Sequence, residues 1–304
     1  MEPASSCRRL LRTPIPEPLQ NLQHQPRLLD RVRLVIRARH YSPRTETAYV
    51  AWIRRFILFH GKRHPVEMGE PEVTQFLSAL ASERHVSAST QNQALSALLF
   101  LYADVLGRDL DWLDRIVRAQ RPVRVPVVLS RAEVAAVLSR LRGDCWLMAS
   151  LMYGSGLRVL ERAGLRVKDL DLDRLELVVR DGKGRKDRVS VLPQALRMLL
   201  ARHLERVKRV HEADLRAGRG GVALPDALGV KYPRAAWEWG WQWVFPATRV
   251  YIDQATGERR RHHLHESVVQ RAFKTAVREA GLTKSASCHC LRHSFATHLL
   301  ESGV

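Results

Sequence analysis

The 304 residues hold 50 Lys and Arg against 31 Asp and Glu, a formal charge of +19. A balance this basic points to a polyanionic partner, most simply nucleic acid. Four cysteines in a chain of this length do not make a disulfide framework and fit a reducing cytoplasm. No apolar run is long enough for a transmembrane helix, so none is expected.

Residues 1–28 carry Pro14, Pro16 and Pro18 and lack the apolar centre of a signal peptide, so they read as a mobile N-terminal arm. A basic amphipathic helix is predicted over 29–40. Ser42 then offers a capping oxygen and Pro43 a pre-set first helical residue for a second helix, with Tyr49, Ile53, Phe56 and Ile57 on one face, ended by Gly61. Val73, Phe76, Leu77 and Leu80 mark a third helix. A fourth starts near Ser87 or Ser89 and runs to Leu106 before Gly107. These four make one helical domain over 29–118.

Residues 119–129 contain Arg121, Pro122, Arg124 and Pro126 and read as an extended, basic linker able to track a phosphate backbone. Ser130 and Glu133 have capping-box spacing and open a second domain, 130–304. Its apolar helix 144–153 breaks at Gly154-Ser155-Gly156. Arg158 follows, either a solvent-facing corner arginine or one placed to meet an anion. Two β-rich runs, 175–179 and 188–192, flank a loop that presents Lys183. A long helix is predicted over 194–217.

Trp237, Trp239, Trp241 and Trp243, four of the chain's seven tryptophans, alternate strictly. Period two predicts a strand with all four indoles on one face. That face could pack on a helix, or stack unpaired bases beside the run Arg259, Arg260, Arg261, His262 and His263. A helix over 266–280 leads to Cys288-His289-Cys290-Leu291-Arg292-His293. Cys288, His289, Cys290 and His293 could be imagined around a metal. Adjacent ligands cannot easily wrap one ion, so no metal or other cofactor is expected.

Arg158, Lys183, His289 and Arg292 together suit phosphoryl transfer without a metal. Two guanidiniums can hold the non-bridging oxygens of one phosphate, a lysine can protonate a leaving hydroxyl, and a histidine can assist. The ordered motifs, Gly154-Ser-Gly-Leu-Arg-Val-Leu-Glu161, then Gly182-Lys-Gly-Arg-Lys-Asp-Arg188, then His289-Cys-Leu-Arg-His-Ser-Phe-Ala-Thr-His298, resemble the tyrosine recombinase (phage integrase) family. The resemblance implies a mainly α fold with a small β-sheet: an N-terminal helical core-binding domain and an α+β catalytic domain. It makes Arg158, Lys183, His289 and Arg292 catalytic and Glu161 a supporting carboxylate. The segment of about 218–246, with Ala223-Leu-Pro-Asp-Ala-Leu-Gly-Val-Lys-Tyr-Pro233, the tryptophan run and Val244-Phe-Pro246, resembles the extra segment of integron integrases, and by that resemblance Trp237, Trp239, Trp241, Trp243, His262 and His263 form a DNA-binding group. Those enzymes act on duplex sites and on a folded single strand, and assemble as a tetramer on DNA. The family's nucleophilic tyrosine is expected beyond Arg292, whereas all six tyrosines lie upstream of it. The reading is therefore of a C-terminally truncated bacterial, cytoplasmic recombinase, inactive for cleavage as written. A DNA-binding protein without catalysis, or a recombinase of duplex sites, are the alternatives.

Overall fold

A computed structural model describes residues 26–82, 86–108, 125–180, 182, 186–225, 227–254 and 256–303. Arg121, Arg124 and Lys183 lie outside the described residues. The chain divides into two units, Met1–Val123 and Arg124–Val304.

The first unit is helical: α1 (Leu28–Ala38), α2 (Pro43–Phe59), α3 (Glu70–Ser82) and α4 (Ala88–Phe100). The Ser42 hydroxyl accepts from Thr45 N at 3.1 Å with Pro43 in the first turn, and Ser87 caps α4 through Thr90 N at 3.3 Å. These caps take up amides that a helix start leaves without partners. The fourth helix does not run evenly to Leu106. After Phe100 it widens into a π turn over Leu101–Val105, which keeps Leu101, Tyr102 and Val105 buried. Phe56, Phe76, Leu98 and Tyr102 form one core, and Val32, Ile36, Ile53 and Phe100 a second layer under α1.

The second unit begins with α5 (Arg131–Leu138), opened by a reciprocal capping box: Glu133 N donates to Ser130 Oγ at 3.2 Å and Ser130 N to Glu133 Oε2 at 2.7 Å. Next come α6 (Gly143–Ser155) and the short α7 (Val159–Ala163). An antiparallel sheet follows, with β1 (Leu170–Asp171), β2 (Glu176–Val179) and β3 (Arg188–Val191) in that spatial order. Then come α8 (Arg197–Arg216), α9 (Leu228–Lys231), a hairpin of β4 (Pro246–Ile252) and β5 (Arg259–His263), α10 (Glu266–Glu279) and α11 (Cys288–Glu301). Helix α6 is apolar around most of its circumference because it lies at the centre, packed by α10 and α11. No described helix is long and apolar enough to cross a membrane.

The tryptophan segment is not a strand. Pro233–Trp237 and Trp239–Trp241 are short 3-10 turns, separated by the single extended residue Glu238 and followed by extended Gln242. Pro233 starts the first turn without an N–H to give to a ladder, and the neighbouring carbonyls are already used. The Gln242 amide donates to Ala236 O and Glu238 O at 3.1 and 3.2 Å, and Val222 N also donates to Ala236 O. The four indoles consequently do not share one face.

Candidate active site

Gly156 ends α6 with φ +59°, in the left-handed region that glycine tolerates. A Cβ there would lie 2.6 Å from the Phe295 ring of α11. The missing side chain lets the 154–158 corner close against α11, and an Arg292 Nη1 hydrogen bond to the Gly156 carbonyl ties the two together. The sheet joins the same corner. Ser190 Oγ donates to Ser155 O at 2.8 Å, and Pro193 fills the space above Gly154.

Glu161, nearly buried, is the hub. Its Oε1 accepts from Arg158 Nη1 at 2.6 Å and Arg188 Nη1 at 3.0 Å. Its Oε2 accepts from Arg158 N and Arg188 Nη2, both at 2.8 Å. Arg292 Nη1 stands 3.7 Å from Oε2. Burial disfavours the charge on Glu161, but the hydrogen bonds from Arg188 and from the Arg158 amide and side chain outweigh it and hold the carboxyl at about 2. Three guanidiniums around one carboxylate leave an excess of positive charge, and each is about one-third exposed. The corner is therefore shaped to take a further anion.

His289 is exposed on the first turn of α11, its ring 4.5 Å from that of His293. Burial, then His293, Arg158 and Arg292 push its pKa down. Burial and Arg158 do the same to Arg292, so the imidazole and the two guanidiniums lie within reach of one another's fields. The thiols are not part of this face. Cys288 and Cys290 are buried in the core of the unit, and burial pushes Cys288 up to about 12. His298 is buried and hydrogen-bonded to Tyr153 Oη at 2.8 Å. Among the described residues no three His, Cys, Asp or Glu side chains converge as a metal site.

Beside Arg158 and Glu161 lies a cavity of about 520 Å³, walled also by Arg166, Lys168, Arg180 and Trp241. Lys168 Nζ sits 2.9 Å from the Trp241 ring centre. Trp243 is flanked by the Arg166 guanidinium, 3.3 Å from its ring centre, and by His262, stacked at 5.7 Å and 14°. Its Nε1 donates to Arg261 O, so it is a structural pivot. Trp239 lies 6.0 Å from the His211 ring, and Trp237 is the most exposed of the four, with its ring against Gly221. The cationic run is largely neutralised. Arg260 pairs with Asp253 and Glu258, and Arg261 forks onto buried Asp214. His262 and His263 touch each other at 4.0 Å, and burial lowers both.

Comparison with known sequences now decides the family. The profile described as "Phage integrase family" matches residues 132–304, and "Phage integrase, N-terminal SAM-like domain" matches 28–112. The chain belongs to the phage integrase family. An Escherichia coli "Integrase/recombinase" is 51% identical over 290 residues, covering 95% of this chain and 85% of that protein. The tyrosine recombinase XerA of Thermococcus kodakarensis is 30% identical over 266 residues, 86% of this chain and 77% of the relative. Among solved structures, a lambda integrase (75-356) dimer bound to a COC' core site aligns with TM-score 0.60 at 18% identity, covering 91% of this chain and 86% of that one. The Tn1549 transposon integrase in complex with transposon right end DNA aligns with TM-score 0.59 at 17% identity, covering 91% and 87%. At such identities these two establish the mainly helical, small-sheet integrase fold.

Sequence reasoning missed Arg188 and Arg166. Arg188 closes the Gly182–Arg188 motif, which was its signal. Arg166, buried yet bonded to Trp241 O and Ala223 O at 2.7 Å, had none.

Proposed function

We propose that this integrase-family chain serves DNA site-specific recombination, with Arg158 and Arg292 gripping one phosphate, His289 assisting and Lys183 protonating the departing hydroxyl. The carrying observation is the cluster of Arg158, Arg188 and Arg292 on the single carboxylate of Glu161. Its unbalanced charge matches the negative charge that develops on a phosphate in the transition state. The attacking group is a tyrosine, joined to DNA through a covalent phosphotyrosine. None of the six tyrosines stands for it here, and the one beside the corner, Tyr153, is bound to His298.

We further propose integron cassette sites, including a folded single strand, as the substrate. The tryptophan segment and the cationic cavity next to Arg158 support this. The cavity is lined by Trp241 and Trp243 and by Arg158, Arg166, Lys168 and Arg180, which outnumber its carboxylates Glu161 and Asp169, and this suits an unpaired base and its phosphate. Assembly as a tetramer on two sites belongs to the same proposal.

Two measurements test it. In a chain carrying the nucleophile, Arg158→Ala or Arg292→Ala should cut covalent protein–DNA product on a nicked site by about 100-fold or more while most DNA binding survives. Retained product would overturn the clamp. A folded hairpin strand should bind more tightly than its duplex at matched salt, and equal affinity would sink the integron assignment.

A further inference from the structure

A carboxylate offers about four acceptor positions. On Glu161 all four are taken: Arg158 supplies Nη1 and its backbone N–H, and Arg188 supplies Nη1 and Nη2. Arg292 Nη1, at 3.7 Å, is close enough to feel the charge and too far to hydrogen-bond. Arg188 reaches Glu161 from the first residue of β3, and β2 and β3 pair in register at Val179 and Arg188. At the other end of the intervening loop, a Cβ on Gly182 would lie 3.8 Å from Glu161 Oε1. The base of the hairpin is thus seated on this carboxylate.

We propose that Arg188 is a positioning residue of the phosphate site. By filling two of the four acceptor positions of Glu161, it prevents the carboxylate from capturing Arg292 and the outer edge of Arg158. Both guanidiniums are thereby kept for phosphate. This rests on the phosphate-clamp reading above. Without Arg188, Glu161 has two vacant acceptors beside two other arginines. Arg292 needs to move less than an ångström or so to reach hydrogen-bond distance, and Arg158 can swing to a two-pronged pair. The clamp would then be occupied by the protein's own anion.

The test is the salt dependence of binding of the 304-residue chain to a short DNA duplex. Each phosphate neutralised contributes about 0.9 to the slope of log K against log salt. Arg158→Ala and Arg292→Ala should each remove about one such contact. Arg188→Ala should remove more than one, approaching two. In a Glu161→Gln background, where the carboxylate charge is gone, Arg188→Ala should leave the slope unchanged. Arg188→Lys, which keeps the charge but loses the planar two-pronged fork, should fall between, and it carries the test if the alanine variant does not fold. Melting curves identify folded variants. A wild-type slope in folded Arg188→Ala overturns the proposal. So does an equal loss of one contact in both backgrounds, which would put Arg188 on the phosphate itself. If neither clamp variant alters the slope, the clamp reading falls, and this inference with it.

Discussion

Arg162 neighbours Glu161 in sequence yet has the opposite fate. It is fully buried, its Nη1 donates to the Met148 sulfur at 2.7 Å, and its Nε and Nη2 have no hydrogen-bond partner among the described residues. Burial pushes its pKa down to about 10, and only the nearby thiols and Glu266 work against that. A buried cation with unmet donors costs stability, on the order of 1–3 kcal/mol for the unsatisfied polar groups alone. Arg162→Met keeps the stem length, removes the charge and retains contact with Met148 and Phe245. It should raise the melting temperature, and a thermal unfolding curve checks this; an unchanged or lower midpoint would show that an anion or water satisfies the guanidinium. Arg158, four residues earlier, differs because the turn at Gly156 places it at the surface with a carboxylate beside it.

At the scale of elements, α8 holds the tryptophan segment at three points. His203 Nε2 meets Val244 O at 2.6 Å, His211 Nε2 meets Trp237 O at 3.1 Å, and Asp214 takes the Arg261 fork. Burial lowers the pKa of His211, His262 and His263 alike. Each is therefore neutral in the folded segment at a pH where its unfolded counterpart, near 6.5, already binds a proton. Unfolded chain then holds more protons, so stability is present above about pH 6.5 and falls as pH drops below it. Arg166, Arg162, His265 and Glu266 also bear on this pair. Tryptophan emission should shift to the red as pH falls below about 6.5. In the double variant His262→Gln, His263→Gln that shift should shrink; an identical acid response would rule these histidines out as its source.

At the scale of the whole molecule, two units each enclose their own core, Phe56, Phe76 and Leu98 in one, Met148, Leu151 and Phe273 in the other. A core of its own is the physical condition for folding alone. Residues 125–304 expressed separately should melt cooperatively and keep most of the tryptophan emission of the complete chain, since Trp146, Trp237, Trp239, Trp241 and Trp243 all lie there. A broad, non-cooperative transition would mean that the second unit depends on the first.

Much of this was legible from local chemistry. Ser42 with Pro43, Ser130 with Glu133 and the apolar run of α6 determine their helices within a few residues of chain, and Arg158, His289 and Arg292 stood out as candidates because their motifs resemble a known family's. The tryptophan alternation misled for a physical reason. Period two is a sufficient sign of a strand only when the backbone has a partner strand. Here the carbonyls and amides are claimed by Gln242, Val222 and α8, leaving 3-10 turns. The cationic run misled likewise, since the carboxylates that neutralise Arg261 come from Asp214, far away in sequence. Sequence alone determined which charges the protein owns and where its helices start. Only the tertiary structure decided which of those charges remain available, because a guanidinium's freedom depends on the acceptors that folding brings to it.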